Sequence, residues 1–174
     1  MGRTSFKCKT ALELPNVNKI ISSGKAIVTY IRQSNIACQQ LKESALEQGL
    51  PTLALLQEVD TRWNSAKDLL ERLYEMYPAI VSVLAENNRI NLIPADNTRL
   101  NMKVLCDFLS DFDAATQIVS GEKYATISLI KPLLRTLTNH CSEDSDDSSL
   151  IKSVKEAIKK DIENRYKEPK TQKT

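Results

Sequence analysis

Glycine and proline are scarce in this chain: four Gly and six Pro are spread over 174 residues. So few breakers leave few places for tight turns, and long helices fit better than many short strands. The apolar residues agree. Val17, Ile20, Ile21, Ile27, Val28 and Ile31 recur at helical spacing behind Pro15, a residue suited to the start of a helix because its missing N–H would have no intrahelical acceptor there. Gly24 lies inside the run, at a cost of about 1 kcal/mol against alanine.

The same reading continues along the chain. Ser34 is placed to cap a second helix carrying Ile36, Leu41, Ala45 and Leu46, because its hydroxyl can accept from an orphan N–H of the first turn. Gly49 stands where a left-handed residue ends a helix, and Pro51 bars its continuation. Residues 53–59 are short and apolar, and they are the one candidate for a strand. Asp60 or Thr61 can cap the next helix, with Trp63, Ala66, Leu69, Leu70 and Leu73, and Pro78 restarts a turn that runs to about Asn87. Leu100, Val104, Leu105, Phe108, Leu109, Phe112, Ala115 and Ile118 form a stripe expected to be buried. Leu129, Leu133, Leu134 and Leu137 face one way on a helix that holds Pro132 in its first turn. Ile151, Val154, Ala157, Ile158 and Ile162 make a last amphipathic helix. The expected fold is mainly α, about seven helices with at most one short strand. Its core includes Leu69, Leu73, Leu105, Phe108, Phe112 and Leu133.

Four segments follow: a loose arm over 1–14, a helical region over 15–141, an acidic linker over 142–149, and a C-terminal helix with a basic tail over 150–174. A net charge of +2 does not make the whole molecule a polycation. Its distribution is uneven, however. Arg3, Lys7, Lys9, Lys19, Lys25 and Arg32 stand against Glu13 alone near the start, and the tail from Lys152 is lysine-rich. Such runs suit either phosphate backbones or plain solvation. Lys19, Lys25, Lys152, Lys155, Lys159 and Lys160 are the candidate phosphate contacts.

Catalytic and metal motifs are sparse. His140 is the only histidine, and Cys8, Cys38, Cys106 and Cys141 contain no Cys-x-x-Cys pair. A tetrahedral metal site would need ligands that this spacing does not supply. Scattered cysteines on helical patterns read as small apolar residues, and reduced thiols in an intracellular compartment are the expectation. No Gly-rich phosphate loop, nucleophile elbow, signal peptide or membrane span is evident. No cofactor and no small-molecule substrate are expected.

One block is more specific. Leu56-Gln57-Glu58-Val59-Asp60-Thr61-Arg62-Trp63-Asn64-Ser65, followed by Asp68 to Leu73, resembles the Arg-Trp block of hAT transposases and of their BED-zinc-finger relatives. Val28 to Ser34, Gly49-Leu50-Pro51, Phe112 to Thr116, Ser120 to Leu129 and Lys159 to Pro169 resemble further family blocks, in family order. The match departs at the first ten residues, and again near Arg99, where relatives often carry a tryptophan.

The resemblance implies a helical insertion domain of an RNase-H-like transposase, domesticated and nuclear. Metal-ion strand chemistry needs clustered carboxylates, and the resemblance puts the family's cluster outside this chain, so no enzyme activity is expected from it alone. Arg62 and Trp63 become the leading DNA-contact candidates, the indole stacking on an unpaired base and the guanidinium gripping phosphate. A buried indole with Arg62 paired to Asp60 is the competing reading of the same residues. For the whole chain, DNA association or transcriptional regulation leads. A protein-interaction or self-association module is one alternative, and the insertion region of an active transposase is another.

Overall fold

The structure, a computed structural model, describes residues 9–56, 63–121, 127–142 and 144–166, with backbone alone at 9, 63, 111, 113–121, 127–131, 133 and 165–166. The described residues form eight α-helices: α1 Lys9–Leu12, α2 Pro15–Gln33, α3 Asn35–Glu47, α4 Trp63–Glu75, α5 Tyr77–Glu86, α6 Asp96–Gly121, α7 Ile127–His140 and α8 Ser149–Tyr166. A 3-10 turn at Ile90–Leu92 precedes α6, and no strand occurs among the described residues. The mainly α expectation holds.

Local chemistry sets most of the helix ends. Pro15 opens α2. The Ser34 hydroxyl accepts from the Ala37 N–H at 3.1 Å, so one residue both ends α2 and caps α3. Gly49 has φ +66° and Asn88 φ +54°. Beside each, the next residue's N–H reaches back a full turn, Leu50 to Ala45 O at 2.8 Å and Arg89 to Leu84 O at 2.7 Å. These are left-handed helix terminations, and they supply donors to carbonyls that would otherwise lack them.

Packing joins the helices into one core. α4 lies along α6, α3 along α5, and α2 crosses both α3 and α4. Where α2 meets α4, a Cβ added at Gly24 would sit 2.7 Å from Leu73 Cδ1. The glycine that weakens α2 locally therefore lets α4 pack against it. Leu69, Leu73, Leu105, Phe108 and Phe112 are all buried. The Leu133 side chain lies outside the described residues, as do those of Ala115 and Ile118.

Several expectations are corrected. Leu100 is 63% exposed and Val104 39%. The buried face of α6 is instead Met102, Leu105, Cys106, Phe108, Leu109 and Phe112, rotated away from those two by the position of α4. Ile36 and Leu46 of α3 are likewise exposed. Residues 9–14 are not loose: α1 packs against α8, and Ala11 is buried. Pro132 sits in the second turn of α7 rather than its first. Residues 51–56 are neither helix nor strand, and the rest of the strand candidate lies outside the described residues. The apolar face expected of the last helix is buried, with Leu150, Ile151, Val154, Ile158 and Ile162 sharing the common core.

Candidate nucleic-acid interface

The α8 helix carries Lys152, Lys155, Lys159 and Lys160, interspersed with Glu156, Asp161 and Glu163. Its apolar residues turn inward, which leaves Lys152, Lys159 and Lys160 exposed. Lys155 belongs to the same run but is 8% exposed. Its ammonium donates to Asp147 Oδ2 at 2.6 Å and to the Ser142 carbonyl at 3.0 Å. The Lys155 charge is thus engaged inside the chain, unlike those of the exposed Lys152, Lys159 and Lys160. Its burial follows from its position at the edge of the apolar face, where the aliphatic stem packs and the charge must find a partner.

The partner comes from the loop between α7 and α8. The Asp147 carboxylate also accepts from the Asp144 N–H at 3.1 Å. The Lys155 ammonium, by hydrogen bonding first of all, holds Asp147 below the ordinary carboxylate range. Ser148 caps α8, its hydroxyl accepting from the Ile151 N–H at 3.3 Å. A cleft of about 530 Å³ lies between loop and helix, lined by Asp144, Asp147, Glu156, Lys152, Lys155 and Lys159. A second cleft, of about 570 Å³, brings Lys19 of α2 together with Asn97 and Asn101 of α6 and Ser149 at the start of α8. Of the predicted contacts, Lys152, Lys155 and Lys159 line the first cleft and Lys19 the second, whereas Lys25 and Lys160 line neither. Arg62 lies outside the described residues, and of Trp63 only the backbone is described, as the first residue of α4.

Sequence reasoning missed a second basic group. Arg99 lies 4.4 Å from the Tyr77 ring centroid and 5.5 Å from that of Tyr74, and Lys103 Nζ is 5.7 Å from the latter. Arg99 and Lys103 are one turn apart on α6, a spacing that was the available signal. Lys103 is also paired to Asp107 at 2.7 Å, which raises its pKa through that hydrogen bond.

The remaining reactive side chains have packing roles. The His140 ring stacks on Phe108 with centroids 5.0 Å apart and meets Phe112 edge-on at 5.8 Å. Burial, with the Glu71 carboxylate adding to it, pushes the Cys106 thiol up to about 12, and burial pushes Cys141 up to about 11. Neither supplies a thiolate near neutral pH. Among the described residues, no group of three or more His, Cys, Asp or Glu is placed to hold a metal ion, and no helix is long and apolar enough to cross a membrane.

Comparison with known proteins supports the resemblance seen in the blocks. The chain is 29% identical over 146 residues to the human zinc finger BED domain-containing protein 4, covering 82% of this chain and 12% of that protein. It is 25% identical over 161 residues to the transposable element Hobo transposase of Drosophila melanogaster, covering 92% of this chain and 24% of that protein. The chain therefore spans only a small part of each relative's length. No family model matches it. The two relatives are of the kinds that the Arg-Trp block and its companions resemble, and they support a transposase-derived chain.

Proposed function

We propose that this transposase-derived chain is a helical DNA-associating unit of a nuclear protein, and that it takes part in regulation rather than in cutting strands itself. The observation that carries the reading is the exposed lysine group of α8, with Lys19 at the neighbouring cleft. Lysine ammoniums are strongly hydrated point charges on flexible stems. They suit the backbone of any duplex and read no bases, so the association is general and sensitive to salt. Arg62 and Trp63 add, by resemblance, a grip on unpaired bases. The same resemblance assigns the catalytic carboxylates to other parts of a transposase.

Fluorescence anisotropy on duplex DNA across a salt series tests this. Binding should weaken steeply with salt, and Lys152→Ala with Lys159→Ala should lower the slope by about 2, one counterion for each lost phosphate contact. Trp63→Ala should cost about 1–3 kcal/mol on DNA with unpaired bases and much less on paired duplex. Salt-insensitive binding, or none at low salt, would sink the reading. The exposed Ile36, Leu46, Leu53 and Leu56 favour a second reading, a protein-interaction module. Association that persists at high salt would select it.

A further inference from the structure

We infer that the acidic loop between α7 and α8 is an intramolecular competitor for the lysine face of α8. The inference rests on the DNA-associating reading above and adds its regulation. One ammonium clips the loop at both ends, because Lys155 Nζ donates to Ser142 O at 3.0 Å and to Asp147 Oδ2 at 2.6 Å. The loop is also braced within itself. The Asp146 N–H donates to Asp144 Oδ1 at 3.3 Å, and the Asp144 N–H to Asp147 Oδ2 at 3.1 Å. Asp144 is thereby held in the cleft that Lys152 and Lys159 line.

The electrostatics follow from that placement. Asp144, Asp147 and Glu156 stand against Lys152, Lys155 and Lys159 around one cleft of about 530 Å³. Lys155 and Lys152 both act electrostatically on Asp147, and Asp144 lines the same cleft as Lys152 and Lys159, where charges closer than about 10 Å are only partly screened at 0.1 M salt. A phosphate approaching Lys152 or Lys159 therefore meets the repulsion of Asp144 together with the attraction of the ammonium. The loop lowers the affinity of the face without covering it. Neutralising the loop, or lifting it from Lys155, strengthens the grip on a phosphate backbone. The Asp147–Lys155 pair is the catch, and Asp144 is the competing charge.

The test measures affinity of the full chain for a labelled 20-base-pair duplex near 0.1 M salt. Asp144→Asn leaves the Lys155 clip in place and should tighten binding about threefold, a gain that fades as added salt screens the cleft. The gain should vanish in a Lys152→Ala/Lys159→Ala background. Glu47→Gln, at an exposed position of α3, changes net charge equally and should not tighten binding. Asp147→Asn should tighten binding at least as much, and thermal melts will show whether it remains folded; Asp144→Asn carries the test if it does not. Wild type binding through the two lysines, with Asp144→Asn no tighter, overturns the competitor alone. An equal gain from Glu47→Gln, or one that survives loss of the lysines, also overturns it. Binding by Asp144→Asn with none detectable by wild type supports the competitor, with an effect larger than threefold. No binding by any variant overturns both the competitor and the DNA-associating reading.

Discussion

Lys67 on α4 and Lys155 on α8 are each 8% exposed, but they reach that depth by different routes. Lys67 pairs within its own helix, with Glu71 one turn on at 3.1 Å and with Asp68 at 3.8 Å, and both carboxylates remain about half exposed. Lys155 pairs with a loop residue whose side chain is only 14% exposed. The α4 pair adorns a helix that apolar packing along α6 already fixes. The α8 pair ties a loop to its helix. Burial of a charge is thus a by-product in one region and a positioning device in the other.

The contrast supposes that both regions share one core, and the largest expected effect tests that. Phe112 is fully buried on α6 and touches Phe108 and His140. Phe112→Ala should cost about 3–5 kcal/mol by urea denaturation, as large core truncations do. Amide hydrogen exchange should then quicken in α8 as well as in α4 and α6. Unchanged protection in α8 would make it a separate unit and break the comparison.

The next effect is expected at the α8 pair. Asp147→Asn leaves the buried Lys155 ammonium facing a neutral amide, with the Ser142 carbonyl still accepting from it, and should cost about 1.5–3 kcal/mol, the range for a hydrogen bond to a charged group. The pH dependence has a definite sign. Asp147 has a lowered pKa in the folded state, so its stabilisation is present above the unfolded carboxylate pKa of about 3.9 and is lost as pH falls through the folded value. The substitution should flatten that part of the acid limb of a stability-against-pH curve. An unaltered acid limb would show that the pair contributes nothing to folding.

These regions differ in legibility for the same physical reason. Pro15, Ser34, Gly49 and Pro78 reveal themselves because each acts on its own backbone or within a turn of it. The α6 stripe could be read only in part. Leu100 and Val104 share helical spacing with Phe108, yet Phe108 is buried and they are not, so spacing alone does not tell how far along α6 the cover extends. Lys155 reads as one more surface lysine until the loop is placed against it, eight residues from its partner. Its neighbours Lys152 and Lys159 stayed exposed as that reading expected. The transposase resemblance was legible because several blocks fall in order, although its two most specific side chains, Arg62 and Trp63, are not among those described.

The smallest effect belongs to the α4 pair and sharpens the comparison most directly. Glu71→Gln removes one charge from Lys67, but Asp68 remains 3.8 Å away, and the 3.1 Å partner lost was itself half exposed. An i,i+4 pair of this kind contributes about 0.3–0.5 kcal/mol. Glu71 also faces the Cys106 thiol closely enough to help keep it protonated, so losing that carboxylate removes a repulsion felt only by the thiolate. A double-mutant cycle of Lys67→Met with Glu71→Gln, set beside Lys155→Met with Asp147→Asn, isolates the two pair energies under the same conditions. The α8 coupling should exceed the α4 coupling by at least about 1 kcal/mol, since its charges are further removed from water and less screened. Raising salt to about 1 M should erase most of the α4 value and leave much of the α8 value. Equal couplings with equal salt dependence would mean that the loop is held by its own backbone and not by Lys155, which would remove the physical basis for treating the two lysines as different devices.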